Sequence, residues 1–193
     1  MLREQTWNGH PVKASTISNR VRALRAFFRW ANENGYTRAQ LTKKIKPSGI
    51  PFTLIVPLTD EEIFRIFKAV QTPRDNAITA LLFHCGLRAS ELAGLRMEDV
   101  NLELGVLKVT GKDAKERYVP SGESTTRRVE SYLNARLRDV LTDRLFLTTR
   151  RAPMERRNLQ GLMRILKGRT GIPRLHARPT SRLWIWLIFL VGS

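Results

Sequence analysis

Between Val106 and Pro120 the chain changes its pattern. Val106-Leu107-Lys108-Val109-Thr110 and Arg117-Tyr118-Val119-Pro120 are strand-like, and the six residues between them, Gly111 to Glu116, form a polar turn. Two such runs joined by such a turn specify a β-hairpin. Almost every other periodic segment repeats at three and four. Ile17, Val21, Leu24, Phe27, Phe28 and Ala31 make one apolar stripe over Thr16 to Asn34, and Gly35 is placed to end that helix. Thr59-Asp60-Glu61-Glu62 fits a capping box ahead of a helical face of Ile63, Ile66, Phe67 and Val70. Pro73 suits the first turn of a further helix with Ile78, Leu81, Leu82 and Cys85, closed by Gly86. A short helix, Ala89 to Leu95, opens just after Arg88. Glu123 to Val140 turns Val129, Leu133, Leu137 and Val140 inward, and Asn158 to Lys167 carries Leu159, Leu162, Met163 and Leu166. The expected fold is mainly α with a small β-hairpin or sheet, an α+β protein.

The charge narrows the partners. Thirty-four Lys and Arg against 17 Asp and Glu leave a formal +17. Residues 1–60 carry +7, residues 61–140 carry +1 and residues 141–193 carry +9. Two basic flanks around a near-neutral centre suit a protein that grips a polyanionic backbone, with nucleic acid the first candidate. The other reading is a generally basic soluble protein. Cys85 is the single cysteine, so no disulfide or Cys-based metal site forms within the chain. The N-terminus has no apolar signal-peptide core. The run from Leu183 to Val191 is about ten residues, short of the roughly twenty that span a bilayer. Lys43 to Pro57, with Pro47, Gly49, Pro51 and Pro57, reads as a linker.

Residues 84–122, HCGLRASELAGLRMEDVNLELGVLKVTGKDAKERYVPSG, place an arginine (Gly86-Leu87-Arg88), an acidic-apolar pair (Glu91-Leu92), the acidic Glu98-Asp99 and a lysine-bearing hairpin turn in one order. That order resembles the catalytic domain of the tyrosine recombinases, the phage integrase family. Pro57-Leu58-Thr59 before an acidic helix is similar to the entrance of that domain. The Arg20–Trp30 helix is similar to the end of the helical core-binding domain before it. The likeness runs from about residue 12 to 176. It implies cleavage of a DNA phosphodiester by a tyrosine hydroxyl, giving a 3′-phosphotyrosyl bond and a free 5′-hydroxyl, and rejoining by the reverse step. The covalent bond conserves the linkage, so no ATP, metal or other cofactor is implied.

On this resemblance Arg88 matches the first catalytic arginine, whose two parallel donors neutralise a phosphoryl group. Lys112 matches the lysine that protonates the leaving 5′-oxygen, with Lys115 a weaker substitute. The competing assignments are a plain Arg88–Glu91 ion pair one helical turn on and a solvated turn lysine at 112. His84 and His10 read as ordinary surface or core histidines, and Cys85 as core. Expected DNA contacts are Arg20, Arg22, Arg25, Arg29, Lys43, Lys44, Lys115, Arg117, Arg150, Arg151, Arg156, Arg157 and Arg164. Double-stranded DNA is the expected partner, no membrane is involved, and intact family members are implied to form homo-oligomers on DNA in a prokaryotic cytoplasm.

The family also needs a His-x-x-Arg motif and a tyrosine nucleophile nearer the C-terminus. The tyrosines here are Tyr36, Tyr118 and Tyr132, none at that position, and His176 is followed at the third residue by Pro179. Ala177 to Trp184 can be encoded by codons that, read one base later, give His-Asp-Leu-Arg-His-Ala-Phe. The expectation is therefore a frameshift near codon 177, with an apolar C-terminal helix as the alternative origin of the tail. The expected division is a partial core-binding domain at 1–46, a linker at 47–57, an incomplete catalytic domain at 58–176 and an out-of-frame tail at 177–193. The expected function is DNA binding by a recombinase-family chain that does not itself cleave, ahead of a working recombinase and of a basic membrane-surface protein.

Overall fold

The computed structural model describes residues 6–7, 10–12, 14–37, 56–111, 114–136 and 141–175. Lys43, Lys44, most of the expected linker, Lys112, Leu137, Val140 and the tail at 177–193 lie outside the described residues. The chain divides into two compact units, Met1–Leu54 and Ile55–Ser193.

In the first unit two short antiparallel strands, β1 (Thr6–Trp7) and β2 (His10–Pro11), precede α1 (Ala14–Glu33). Gly35 ends α1 as expected. It adopts φ +77°, and the Tyr36 amide returns to the Ala31 carbonyl at 2.8 Å. The apolar stripe is only partly covered: Ile17, Val21 and Phe28 are half-buried. Ala31 is buried, but Leu24 and Phe27 are 49% and 55% exposed. Phe27 meets Trp30 at a tilt and Trp30 stacks on Tyr36, with ring centroids 6.1 and 5.4 Å apart. A stripe becomes a core face only against a second apolar surface, and the described residues of this unit offer no second helix.

The second unit is built around α3 (Pro73–Phe83), in which every residue from Ala77 to Leu82 is buried. A helix that is apolar all round can only sit inside other elements. α5 (Glu123–Ala135) packs against it, as does the short α4 (Ala89–Gly94). α2 (Asp60–Ala69) lies on α6 (Arg156–Thr170), which also covers α4. Leu81, Leu92, Leu107, Leu145, Leu159 and Leu166 belong to one continuous core.

The local signals act as their chemistry requires. Thr59 accepts from the Glu62 amide at 3.3 Å while Glu62 accepts from the Thr59 amide at 2.9 Å, so both halves of the capping box form. Arg174 also bonds the Glu62 carboxylate and tethers the segment after α6 to the start of α2. Pro73 occupies the first turn of α3, with Thr72 accepting from the Asp75 amide at 3.1 Å.

The hairpin joins β4 (Val106–Thr110) to β5 (Glu116–Pro120), and β3 (Val100–Asn101) adds a third antiparallel strand in the order β3-β4-β5. β3 was not anticipated: two residues are too few to show a period. Gly105 permits the return into β4. Its φ is +60°, and a Cβ there would stand 3.1 Å from the Ser121 carbonyl oxygen.

The stretch after α5 was also undervalued. Leu145, Phe146 and Leu147 are buried, with Phe146 stacked on Tyr132 at 5.1 Å. A tight turn follows, in which Thr148 and Ala152 are bonded at 2.8 Å and Arg151 takes φ +61°.

Candidate functional site

The segment before α4 places one arginine at a helix entrance. Gly86 turns the chain with φ +62°, Leu87 anchors it in the core with no exposed surface, and Arg88 becomes the N-cap of α4. Three residues on, Glu91 accepts from the Arg88 amide through Oε2 at 2.9 Å and from Arg88 Nη1 through Oε1 at 2.7 Å. The Arg88–Glu91 pair considered from sequence therefore exists. It uses only part of the guanidinium: the Arg88 side chain is 59% exposed, and among the described residues its Nε and Nη2 have no partner.

The opposite side of Glu91 is taken by Arg117 from β5. Its Nη1 bonds Oε1 and its Nη2 bonds Oε2, each at 2.9 Å. The Glu91 side chain is 3% exposed. Burial pushes its carboxyl pKa up, but the hydrogen bonds from Arg117 and Arg88 outweigh that and hold it at about 2. The same contact with Glu91 raises the pKa of Arg117. Two guanidiniums around one carboxylate leave a net charge of +1, with the Arg88 side chain 59% and the Arg117 side chain 41% exposed.

The hairpin register explains why Arg117 arrives there. Val109 pairs with Arg117 and Leu107 with Val119, and Val109 and Leu107 are buried. Directly paired residues share a face of the sheet, so Arg117 is in the inward phase of its strand. Lys108 pairs with Tyr118 on the other face, where Lys108 also meets Glu116 at 3.0 Å.

The turn that carries the lysines begins beside this corner. A side chain at Gly111 would stand 3.6 Å from Glu91 Oε1 and 3.5 Å from Arg117 Nη1. Lys112 is the next residue and lies outside the described ones. Lys115 is exposed, and its carbonyl accepts from the Gly111 amide at 2.7 Å.

The other expected contacts fall in separate places. Arg20, Arg22 and Arg29 are exposed on α1 in the first unit, with Arg25 half-buried. Arg150 and Arg151 are exposed at the tip of the 148–152 turn. Arg156, in the first turn of α6, and Arg164 are exposed, while Leu159, Met163 and Leu166 of the same helix are buried. Arg157 pairs with Glu155 at 2.9 Å. Arg117 is the exception among them, since both terminal nitrogens are committed to Glu91. Sequence inspection missed that link. The available signal was its phase: two residues before Val119, Arg117 shares the sheet face of the buried Val109 and Leu107, although its own side chain is 41% exposed.

The tyrosines lie apart from the corner or in the other unit. Tyr132 is 5% exposed; its hydroxyl donates to the Leu145 carbonyl at 3.0 Å and accepts from the Leu147 amide at 3.3 Å. Tyr118 is 75% exposed on the hairpin face opposite Arg117. Tyr36 belongs to the first unit. His84 is half-buried on α3's end, 3.0 Å from the Thr125 hydroxyl and in tilted ring contact with Phe67, and burial lowers its pKa. Among the described residues no cluster of three or more His, Cys, Asp or Glu could hold a metal ion. No described helix is long and apolar enough to cross a membrane.

The corner thus joins a half-exposed guanidinium at a helix entrance to a buried acid, next to the start of the hairpin turn. The Phage integrase family model covers residues 57–181, and the chain belongs to that family. It is similar to tyrosine recombinase XerD of Xanthomonas campestris, 34% identical over 165 residues, which span 77% of this chain and 51% of the relative. It is equally similar to tyrosine recombinase XerA of Pyrococcus furiosus, 34% identical over 150 residues, 76% of this chain and 50% of the relative. The chain thus spans about half the length of these relatives. Its fold resembles the crystal structure of XerA recombinase, with a TM-score of 0.65, 24% identity, and coverage of 93% of this chain and 63% of that one. It also resembles the Tn1549 transposon integrase solved in complex with circular intermediate DNA, with a TM-score of 0.77, 19% identity, and coverage of 94% and 68%.

Proposed function

We propose that this chain binds duplex DNA as a tyrosine recombinase-family protein, that the Arg88–Glu91–Arg117 corner holds one backbone phosphate, and that the chain does not itself form the phosphotyrosyl bond. The observation that carries the first two parts is that the Arg88 guanidinium, in a side chain 59% exposed, is bonded among the described residues only through Nη1, beside a carboxylate whose side chain is 3% exposed. A guanidinium edge offers two parallel donors at the spacing of two phosphate oxygens. A phosphodiester there brings the corner from +1 to neutrality. Lys112, one residue past Gly111, is the proposed second cation at that phosphate.

Further phosphate contacts proposed within the first unit are Arg20, Arg22, Arg25, Arg29, Lys43 and Lys44, and within the second, beside Arg117 of the corner, Lys115, Arg150, Arg151, Arg156, Arg157 and Arg164. The Tn1549 integrase and the lambda integrase, of related fold, were both solved bound to DNA, the latter also as a dimer on a core site. That supports duplex DNA as the partner here. Double commitment of the Tyr132 hydroxyl and the outward face of Tyr118 support the absence of a nucleophile at Arg88.

The test combines gel-shift titration over a salt series with denaturing electrophoresis on nicked duplexes. A reversible complex that weakens steeply with salt, and no detergent-resistant adduct, is expected. A covalent protein–DNA band would overturn the non-cleaving assignment. Salt-insensitive binding would overturn the phosphate interface.

A further inference from the structure

We propose that Arg117 is a positioning residue for Arg88, and that it acts by occupying Glu91 so that the outer edge of Arg88 stays free for DNA. The proposal rests on the phosphate role given to Arg88 above.

Arg88 and Arg117 compete for a single carboxylate. Glu91 is ionised, and its side chain is almost wholly enclosed, so its lone pairs must be filled by protein donors. Two donors come from Arg88, one from the backbone and one from Nη1. The other two come end-on from Arg117. With Arg117 in place, Oε1 already receives two N–H groups and Oε2 two more, and the acid has nothing further to offer.

Without Arg117, the nearest donor is the rest of the Arg88 guanidinium. A fork-to-fork pair three residues apart on a short helix would then consume the edge that faces solvent. Arg117 thereby determines how much of Arg88 the acid takes. A lysine at 117 would be a poor replacement, because a point charge fills one oxygen and leaves the other open. The link also crosses elements. Arg117 sits on β5 and Glu91 on α4, so the strand that follows the lysine-bearing turn is tied to the helix that starts at Arg88.

The alternative for Arg117 is direct phosphate contact, in which case it acts independently of Arg88. Duplex affinity at one fixed salt concentration separates the two. Arg88→Ala, Arg117→Met and the double substitution are measured beside the unaltered chain, with thermal melts confirming that each is folded. Arg88→Ala and Arg117→Met are each expected to weaken binding by roughly tenfold, and the double variant to bind no worse than Arg88→Ala alone. In a Glu91→Gln background, where no carboxylate competes for Arg88, Arg117→Met is expected to cost nothing further. If Arg117→Met does not fold, Arg117→Lys replaces it, with the same non-additivity expected. Losses that multiply in the double variant, or unchanged binding by folded Arg117→Met, would overturn the proposal. Unchanged binding by Arg88→Ala would remove the phosphate role itself, and with it anything for Arg117 to position.

Discussion

Arg117 and Glu91, 26 positions apart, share two hydrogen bonds of 2.9 Å, one on each carboxylate oxygen. Glu91 is nonetheless charged and nearly out of water. A buried carboxylate is tolerated only where donors replace its lost hydration, and here two guanidiniums and one amide do so. The contact joins the hairpin to α4 and leaves Arg88 as the outward cation.

That contact makes stability depend on pH in a definite direction. The folded-state pKa of Glu91 is about 2, below its ordinary value of 4.5. A depressed carboxylate contributes stability that is fully present above the unfolded pKa and is lost as pH falls through the folded one. The stability difference between the unaltered chain and Glu91→Gln should therefore shrink as pH falls from about 5 to 2, by on the order of 2 kcal/mol after solvent screening. Urea melts across that range measure it.

Tyr132→Phe should lower stability by about 1–2 kcal/mol, because the Leu147 amide loses its buried acceptor and the Leu145 carbonyl loses a donor. Thermal melts read the loss. Duplex affinity should not change, since the hydroxyl faces the core and not the Arg88 corner.

The thiol of Cys85 should be inert in the folded chain. It is 5% exposed, and burial pushes its pKa up to about 12, so almost no thiolate exists at neutral pH. Iodoacetamide labelling followed by mass spectrometry should show modification only after denaturant is added.

Thr59→Ala removes one half of the capping box at α2 and should cost about 1 kcal/mol. Hydrogen exchange should show the added opening first in the amides of the α2 first turn, Asp60 to Ile63.

Signals confined to a few adjacent residues were legible in the sequence. The box at Thr59, the proline at 73, the glycine at 35 and the two hairpin strands each form where their local chemistry places them. Arg88 and its acid were also legible, because an i,i+3 pair needs no knowledge of the fold. What depended on distant partners was not. The α1 stripe predicts burial only if something covers it, and Leu24 and Phe27 remain half-exposed. The burial of Tyr132 depends on Phe146, fourteen residues on, which stacks on it. Arg117 reads only as a basic contact, and its pairing with Glu91 depends on the strand register.

The phosphate role of Arg88 is tested most directly by the salt dependence of duplex binding. The slope of log Kobs against log salt should be shallower for Arg88→Ala than for the unaltered chain by about 0.9, the counterion release of one B-DNA phosphate. Parallel slopes for the two proteins would mean that Arg88 touches no phosphate, and would contradict the account.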